Sequence, residues 1–565
     1  MSENKSGLNR RDFMKIGAAG AAAMTLGGAP SVLAATPKRG GTVTCGMAFL
    51  IQYPDPHQYA GTWAIQAKAL SWEGLVTPTS LAERARIAKA KGPDAVPVVQ
   101  PMLAESWEVD KETKRYVFHL KKGVKFHNGK ELDSGDVKWS WERIKDPNTR
   151  AAGRLAIGQF LQSIETPDKY TIVANLSRSY ASFLAANNYG LTSILPKDCI
   201  PAGARWGQTP DSPKEVAPPG TGPFIMTKHQ QNNEAQFEAF KDYRVKGLPY
   251  LDKVIYKVVS EFQPRTMALR AGNLDYIYSA DPDWLNKVLT GKLDKLQQYL
   301  PLKDEKLILL PTLGTVAVTI YLNCHEGKPT PFKDVRVRQA FNYSLDRAKI
   351  CKTMFGQLAT PTAQFTDPAI SYWGFKDIVP PQPNLEKAKK LLAEAGYPNG
   401  LDVELHATPE WGRNDVMAQI IQQMAGEAGF RIKITQEVGM QYYGHLREYS
   451  YQALIYTFEG GLDPMLGGGY GAFHTDPTPP YNGYSPSMGL KDPEMDKLFD
   501  DAISGTDNAK RKAAYKKAIQ RINELSYVIP LYTSIGANAW STKLQNFDPL
   551  KYYFPEEAFR EAWLA

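Results

Sequence analysis

Leu401-Asp402-Val403-Glu404-Leu405-His406-Ala407 opens the stretch that decides the fold. Leu401, Val403, Leu405 and Ala407 alternate with polar residues, the period of a half-buried strand. Met417, Ile420, Ile421, Met424 and Ala428 then fall on one helical face, which Gly429 closes. Phe430, Ile432 and Ile434 return to strand period. A strand-helix-strand unit of this length predicts parallel strands joined by a right-handed crossover. Ligands of such sheets sit beyond the carboxyl ends of the strands. One end leads into Thr408-Pro409-Glu410-Trp411-Gly412-Arg413-Asn414. The apolar strand Ala453-Leu454-Ile455-Tyr456 leads into Thr457-Phe458-Glu459-Gly460-Gly461-Leu462-Asp463-Pro464. Both loops mix aromatics, carboxylates and glycine, as a pocket with flat apolar walls and a few placed charges requires.

Outward from this unit, Asn384 caps a helix carrying Leu385, Ala388, Leu391, Leu392 and Ala395, stopped by Gly396 and Pro398. Val335 to Gly356 reads as one amphipathic helix with Val337, Phe341, Leu345 and Ala348 on its stripe. Tyr116–Leu120 and Val124–Phe126 read as strands separated by Lys121-Lys122-Gly123, with a tight turn at Asn128-Gly129. A helix follows from Asp133 through Trp141. Mixed strands and helices over several stretches predict an α/β or α+β body of more than one lobe.

The chain has 565 residues, 43% hydrophobic and 22% charged, enough apolar content for a large core and far from disorder. Lys plus Arg number 67 against 59 Asp plus Glu, and the two signs mix along the chain, which disfavours a nucleic-acid partner. Asn9-Arg10-Arg11-Asp12-Phe13-Met14-Lys15, an Ala/Gly-rich run to Leu26 and small residues ending Val32-Leu33-Ala34-Ala35 form a secretory signal of twin-arginine type over 1–35. The run is too short to span a membrane. The first cysteine is Cys45, away from the cleavage site, so a free periplasmic protein without a lipid anchor is expected. The four cysteines, at 45, 199, 324 and 351, allow three pairings, and free buried thiols are an equal alternative.

Catalytic and metal patterns are missing. The eight histidines include no HxxxH pair and no CxxC accompanies them, so neither metal nor cofactor is expected. Gly483-Tyr484-Ser485-Pro486-Ser487 fails the nucleophile-elbow pattern at its last position. Gly220-Thr221-Gly222-Pro223 lacks the Lys of a phosphate loop and reads as a turn needing positive φ. Paired carboxylates such as Asp281 and Asp283 read as solvated surface.

Several blocks together resemble the family 5 extracellular solute-binding proteins of ABC importers, the oligopeptide, dipeptide and nickel-binding group. They are Leu103-Ala104-Glu105-Ser106-Trp107-Glu108-Val109, Tyr116 through Gly129, Asp136-Val137 with Ser140-Trp141-Glu142-Arg143, Gly220-Thr221-Gly222-Pro223-Phe224, Leu251-Asp252-Lys253-Val254, Ala268-Leu269-Arg270-Ala271-Gly272, Asp334 through Tyr343, and Lys387 through Pro398. The resemblance implies an α/β bilobal periplasmic-binding-protein-like fold (type II, cluster C) with an extra domain inserted in the first lobe. Lobe I would comprise 36–78, 186–305 and 527–565, the extra domain 79–185, and lobe II 306–526, with crossings near Thr312 to Tyr321 and Val528 to Tyr532. The function it implies is capture of a small polar solute (peptide, opine, oligosaccharide or similar) by a monomeric receptor, and delivery to an ABC permease. A periplasmic hydrolase of peptides or glycosides, or a sensor or chaperone reusing the cleft, is the alternative.

The ligand-binding candidates are Tyr53, Asp55, His57 and Trp63 after the first strand, Trp411 and Arg413, then Phe458, Glu459, Gly460 and Asp463. Tyr470, in the stretch Gly467–His474, is either a ligand wall or local packing. Peptide-binding members place an Asp where this chain has Gly460, so either Glu459 supplies the charge or the solute has no free amine.

Overall fold

The structure, a computed structural model, describes residues 36–48, 50, 54–58, 62–91, 99–154, 156–201, 203–206, 216–290, 298–365, 372–409, 413–459, 469–475, 488–552 and 554–565. Among these candidates, Tyr53, Trp411, Gly460 and Asp463 lie outside the described residues, as do the signal and its twin arginines. The strands used below are β1 (Thr42–Met47), β2 (Ala104–Val109), β3 (Arg115–Leu120), β4 (Leu161–Asp168), β5 (Thr171–Leu176), β6 (Phe224–Gln230), β7 (Glu234–Ala239), β8 (Lys253–Val258), β9 (Tyr276–Ile277), β10 (Leu307–Leu322), β11 (Leu401–Ala407), β12 (Phe430–Gln436), β13 (Ala453–Glu459) and β14 (Val528–Ser541). The helices are α1 (Thr62–Ser71), α2 (Ser134–Lys145), α3 (Pro282–Val288), α4 (Val335–Tyr343), α5 (Arg347–Phe355), α6 (Leu385–Glu394), α7 (Asn414–Glu427), α8 (Gly439–Glu448), α9 (Gly469–Phe473), α10 (Pro493–Ile503) and α11 (Asn508–Leu525). None in the described residues is long and apolar enough to cross a membrane.

A twelve-stranded sheet follows the order β12-β11-β13-β10-β14-β9-β1-β8-β7-β6, with short strands Leu300–Leu302 and Ala359–Pro361 added on β10 and β14. β1 runs parallel to β8 and β9, and β11 parallel to β12 and β13. The two halves share the long antiparallel pair β10 and β14. Its Leu307–Leu313 end pairs with Ile535–Ser541 beside the first lobe's strands, and its Ala317–Tyr321 end pairs with Val528–Thr533 in the second lobe. The register slips between Leu313 and Ala317, so the ladder breaks where the chain passes between lobes. The fold is α/β and bilobal. A separate sheet in the order β2-β3-β5-β4, with α2 packed on it, forms the inserted domain.

The periodic readings translate into burial. Met417, Ile421 and Met424 of α7 enter a core with Val403 and Leu405 of β11 and Phe430 and Ile432 of β12. The Asn384 side chain accepts from the Lys387 N–H and starts α6. The single helix expected over 335–356 is instead α4 and α5. Ser344 Oγ donates to the Phe341 carbonyl (2.7 Å), and the Asp346 side chain accepts from the Lys349 N–H to begin a second helix. Val124–Phe126 is not a strand. A lone bridge joins Lys125 to Glu131, and the Phe126 N–H turns back to the Lys130 carbonyl at 2.8 Å. All four cysteines are free thiols, with Cys45, Cys324 and Cys351 buried.

Gly220 and Gly222 do not have the positive φ expected of them. They permit close approach: a Cβ on Gly220 would lie 1.9 Å from the Ser71 carbonyl oxygen, and one on Gly222 would lie 2.5 Å from that of Leu70. His127 clamps the same turn. Its Nδ1 accepts from the Gly220 N–H (3.1 Å) and its Nε2 donates to the Gly222 carbonyl (3.0 Å). Two of the sequence blocks thus meet at the end of α1.

Candidate functional site

The register of β13 against β10 sets the direction of the second lobe's strands. Glu459 at the end of β13 pairs with Val316, at the crossing, whereas Ala453 at its start pairs with Leu322, away from it. β11 is parallel to β13, so its carboxyl end also points toward the first lobe. Arg413, with φ 65°, is the left-handed residue before α7, and its Nη1 lies 3.9 Å from Asp283 Oδ1 on α3 of the first lobe. Asp281 is no free surface carboxylate either, since it caps α3 by accepting from the Trp284 N–H at 2.7 Å. Phe458 and Glu459, expected in a loop, have their backbones in β13, because β10 supplies ladder partners that far. Trp63 lies on α1.

Asp55 and His57 are 0% and 1% exposed and do not face an open cleft. Arg143 of α2 donates through Nη2 to Asp55 Oδ2 (2.7 Å) and through Nη1 to Asp55 Oδ1 (3.3 Å) and His57 Nδ1 (2.7 Å). The Trp206 N–H donates to Asp55 Oδ2 at 3.0 Å, and His57 Nε2 donates to the Ser193 carbonyl at 2.7 Å. Burial would raise the Asp55 carboxyl, but the Arg143 charge and hydrogen bonds outweigh it and hold the group below its ordinary value. Burial, reinforced by Arg143, pushes His57 down to about 3, so the ring is neutral, as its accepting Nδ1 requires. These two residues pin the loop after β1 to the inserted domain. The expectation that they line the cleft gives way to that role.

Tyr470 of α9 is also internal, 4% exposed. Its ring stacks on His474 (centroids 4.4 Å) and meets Phe160 of the inserted domain edge-on at 6.3 Å. Its hydroxyl accepts from Arg178 Nη2. Arg178 Nη1 in turn binds Asp500 Oδ1 at 2.8 Å. Of the two readings of this stretch, local packing describes Tyr470.

Comparison with known proteins gives a match over residues 98–488 to bacterial extracellular solute-binding proteins, family 5 Middle. The chain belongs to that family. A second match, over residues 7–27, is to the twin-arginine translocation pathway signal sequence. This solute-binding protein is therefore exported to the periplasm, where members of the family hand solutes to ABC importers. It is 28% identical to heme-binding protein A of Haemophilus influenzae over 80% of its own chain and 81% of that one. It is 28% identical to the dipeptide-binding protein of Escherichia coli K12, covering 64% and 68% of the two chains. Among solved structures, the binding protein AgaA with agropinic acid from A. tumefaciens R10 superposes with a TM-score of 0.76 at 25% identity, over 93% and 99% of the chains.

The sequence reading of the binding protein passed over Asn414. It opens α7 directly after Arg413, is 1% exposed, and neither its Oδ1 nor its Nδ2 has a hydrogen-bond partner. A buried amide left unpaired costs about 1–3 kcal/mol. It follows Arg413, whose Nη1 lies 3.9 Å from Asp283 Oδ1 on α3. Its signal in the sequence is only an Asn at a helix start, which ordinarily reads as a cap.

Proposed function

We propose that this receptor encloses a small amino-acid-derived solute, a short peptide or an opine, between the loop after β1 and the loops that follow β11 and β13. The division into lobe I (36–78, 186–305, 527–565), extra domain (79–185) and lobe II (306–526) is part of the proposal, as is action as a non-catalytic monomer that does not bind nucleic acid. The carrying observation is Asn414, a buried amide with neither donor nor acceptor used, at the start of α7 in the connection that follows β11. A solute bearing amide, carboxylate or amine groups supplies both missing partners, which an apolar solute cannot. Arg413 offers a carboxylate partner, Glu459 an amine or hydroxyl partner, and Trp411 a flat face. Tyr53, Trp63, Phe458, Gly460 and Asp463 complete the proposed wall. The dipeptide and opine receptors among its relatives support this solute class.

Calorimetry against a panel of dipeptides and opines, with native mass spectrometry of protein purified from its source, tests the reading. Trp411→Ala should weaken binding by about 1–3 kcal/mol if the ring is a buried anchor. Asn414→Leu, close in volume, should weaken binding while leaving the melting temperature unchanged or raised. If Trp411→Ala, Glu459→Gln and Asn414→Leu all fold and bind as the parent does, the pocket has been assigned to the wrong loops.

A further inference from the structure

Three side chains that the proposed solute wall does not include converge beside the end of β11. His406, next to last in that strand and 3% exposed, places Nδ1 3.2 Å from Glu437 Oε2. Glu437 follows β12 and is tied to the strand by its own N–H, which donates to the Ala407 carbonyl at 3.1 Å. His445, on α8, brings Nε2 to 2.8 Å from the same Oε2. The imidazole centroids are 4.3 Å apart, and one donor atom from each residue lies within 4.8 Å of the other two.

Both imidazoles turn a ring nitrogen to the one carboxylate. His445 Nδ1 lies 2.9 Å from the Ser450 carbonyl and 2.8 Å from Ser450 Oγ, so a proton on Nδ1 has an acceptor waiting for it. The Nε2 of a neutral ring then presents its lone pair to Glu437. His406 Nε2 is buried without a hydrogen-bond partner, and Glu404 Oε2 is 3.8 Å from it. In that tautomer of His445 a cation between the Nε2 lone pair and the carboxylate satisfies both. A tetrahedral ion with bonds of about 2.0–2.2 Å holds its ligand atoms roughly 3.3 Å apart, slightly beyond the two short edges already present.

We propose that His406, Glu437 and His445 bind one divalent transition-metal ion of the Zn²⁺ or Ni²⁺ class. Two imidazoles and one carboxylate suit these borderline ions, whereas Ca²⁺ and Mg²⁺ want oxygen ligands. The Ser450 carbonyl can accept the His445 Nδ1 proton, as outer partners of metal-bound histidines do. His445 and Glu437 side chains are 21% and 9% exposed, so an ion can enter without opening the lobe. Three protein ligands leave a fourth position for water or an incoming donor group. All three belong to the second lobe, so occupancy does not depend on closure over the solute, and the ion would fasten α8 to the β11–β12 edge.

Untagged mature protein, stripped with chelator, is titrated with Co²⁺ and then Zn²⁺ in the absence of solute. One Co²⁺ per chain should bind with the intense visible absorption of a low-coordinate site, be displaced by Zn²⁺, and raise the melting temperature. Glu437→Gln and His445→Gln should each weaken binding on the order of a hundredfold or more, and His119→Gln, a half-buried histidine on β3, should not. Anomalous scattering from wild-type crystals soaked in Zn²⁺ should place the ion between the three side chains, a reading that holds even if a variant fails to fold. No stoichiometric uptake, uptake kept in both variants, or anomalous density elsewhere overturns the proposal and leaves a hydrogen-bonded cluster alone.

Discussion

Glu556 is a carboxyl fully enclosed in the first lobe's core, with Tyr276 donating to its Oε1 at 2.9 Å and its Oε2 unpartnered. Burial, opposed only in part by hydrogen bonds, raises it from 4.5 to about 7. An acid raised in the folded state is bound more tightly as its neutral form. Its contribution is therefore complete below about 4.5 and is lost as pH rises through 7. At about 1.4 kcal/mol per unit, the loss reaches ~3 kcal/mol on the alkaline side. Glu556→Gln, which keeps an acceptor for Tyr276 and cannot ionise, should match the parent near pH 4.5 and exceed its stability progressively up to pH 7 and above. Urea unfolding at a series of pH values checks this, and a gap that does not change with pH would show that Glu556 does not titrate there. His57 and His127 act in the opposite direction. Burial pushes the first to about 3 and the second to about 4, so the stability they carry as neutral rings is present above 6.5 and lost as pH falls below it.

Among the elements, the turn at 220–223 docks backbone against backbone on the last residues of α1. Gly220→Ala must move either that turn or the helix end, because the obstacle is a carbonyl and not a flexible side chain. The expected cost is about 3 kcal/mol, the upper end for overpacking. Gly272→Ala makes a contrast, since nothing lies near its Cβ and its φ of 78° supplies strain alone. Denaturant unfolding of the two variants separates crowding from backbone strain, and equal losses would count against crowding at Gly220. The glycines were visible in the sequence; the reason for them was not, because it lies in a helix about 150 residues earlier in the chain. The same limit governs the site. Met417, Ile421 and Met424 could be assigned to the core because a helix face is written in local spacing. The partner of Asp55 and His57 could not be read, because Arg143 stands 88 and 86 positions from them. The break between α4 and α5 was hidden for a local reason: the apolar stripe continues across it, while Ser344 and Asp346 divert the backbone by side-chain hydrogen bonds.

For the whole molecule, the inserted domain reaches past the first lobe to hold the second. In the segment after β5, the Ala181 N–H donates to the Ile503 carbonyl at 2.8 Å, and Ser179 Oγ accepts from the Gly505 N–H at 3.0 Å. Arg511 Nη2 reaches Ser182 Oγ at 3.0 Å, and Arg178 joins Asp500 while lying 4.9 Å and 5.5 Å from the Phe160 and Tyr470 ring centres. On the proposed division, rotation of the second lobe about β10 and β14 would part the contacts to Asp500, Ile503, Gly505, Arg511 and Tyr470, which then favour the closed arrangement, while Arg178 and Phe160 would move together. The Arg178–Asp500 pair is more than a third exposed on both sides, so its ionic share is worth at most ~1 kcal/mol, with about 0.5 kcal/mol more from the Tyr470 ring. Removing it takes that energy from the closed state alone. Arg178→Ala should therefore enlarge the radius of gyration of the solute-free protein in solution scattering. It should also weaken apparent solute affinity by up to about tenfold, because binding must first restore the closed population. Saturating solute should return the variant to the parent's compact dimensions, since bound solute supplies what the contact no longer does. If the solute-free radius and the affinity both stay at the parent's values, the segment rides with the second lobe and plays no part in its closure.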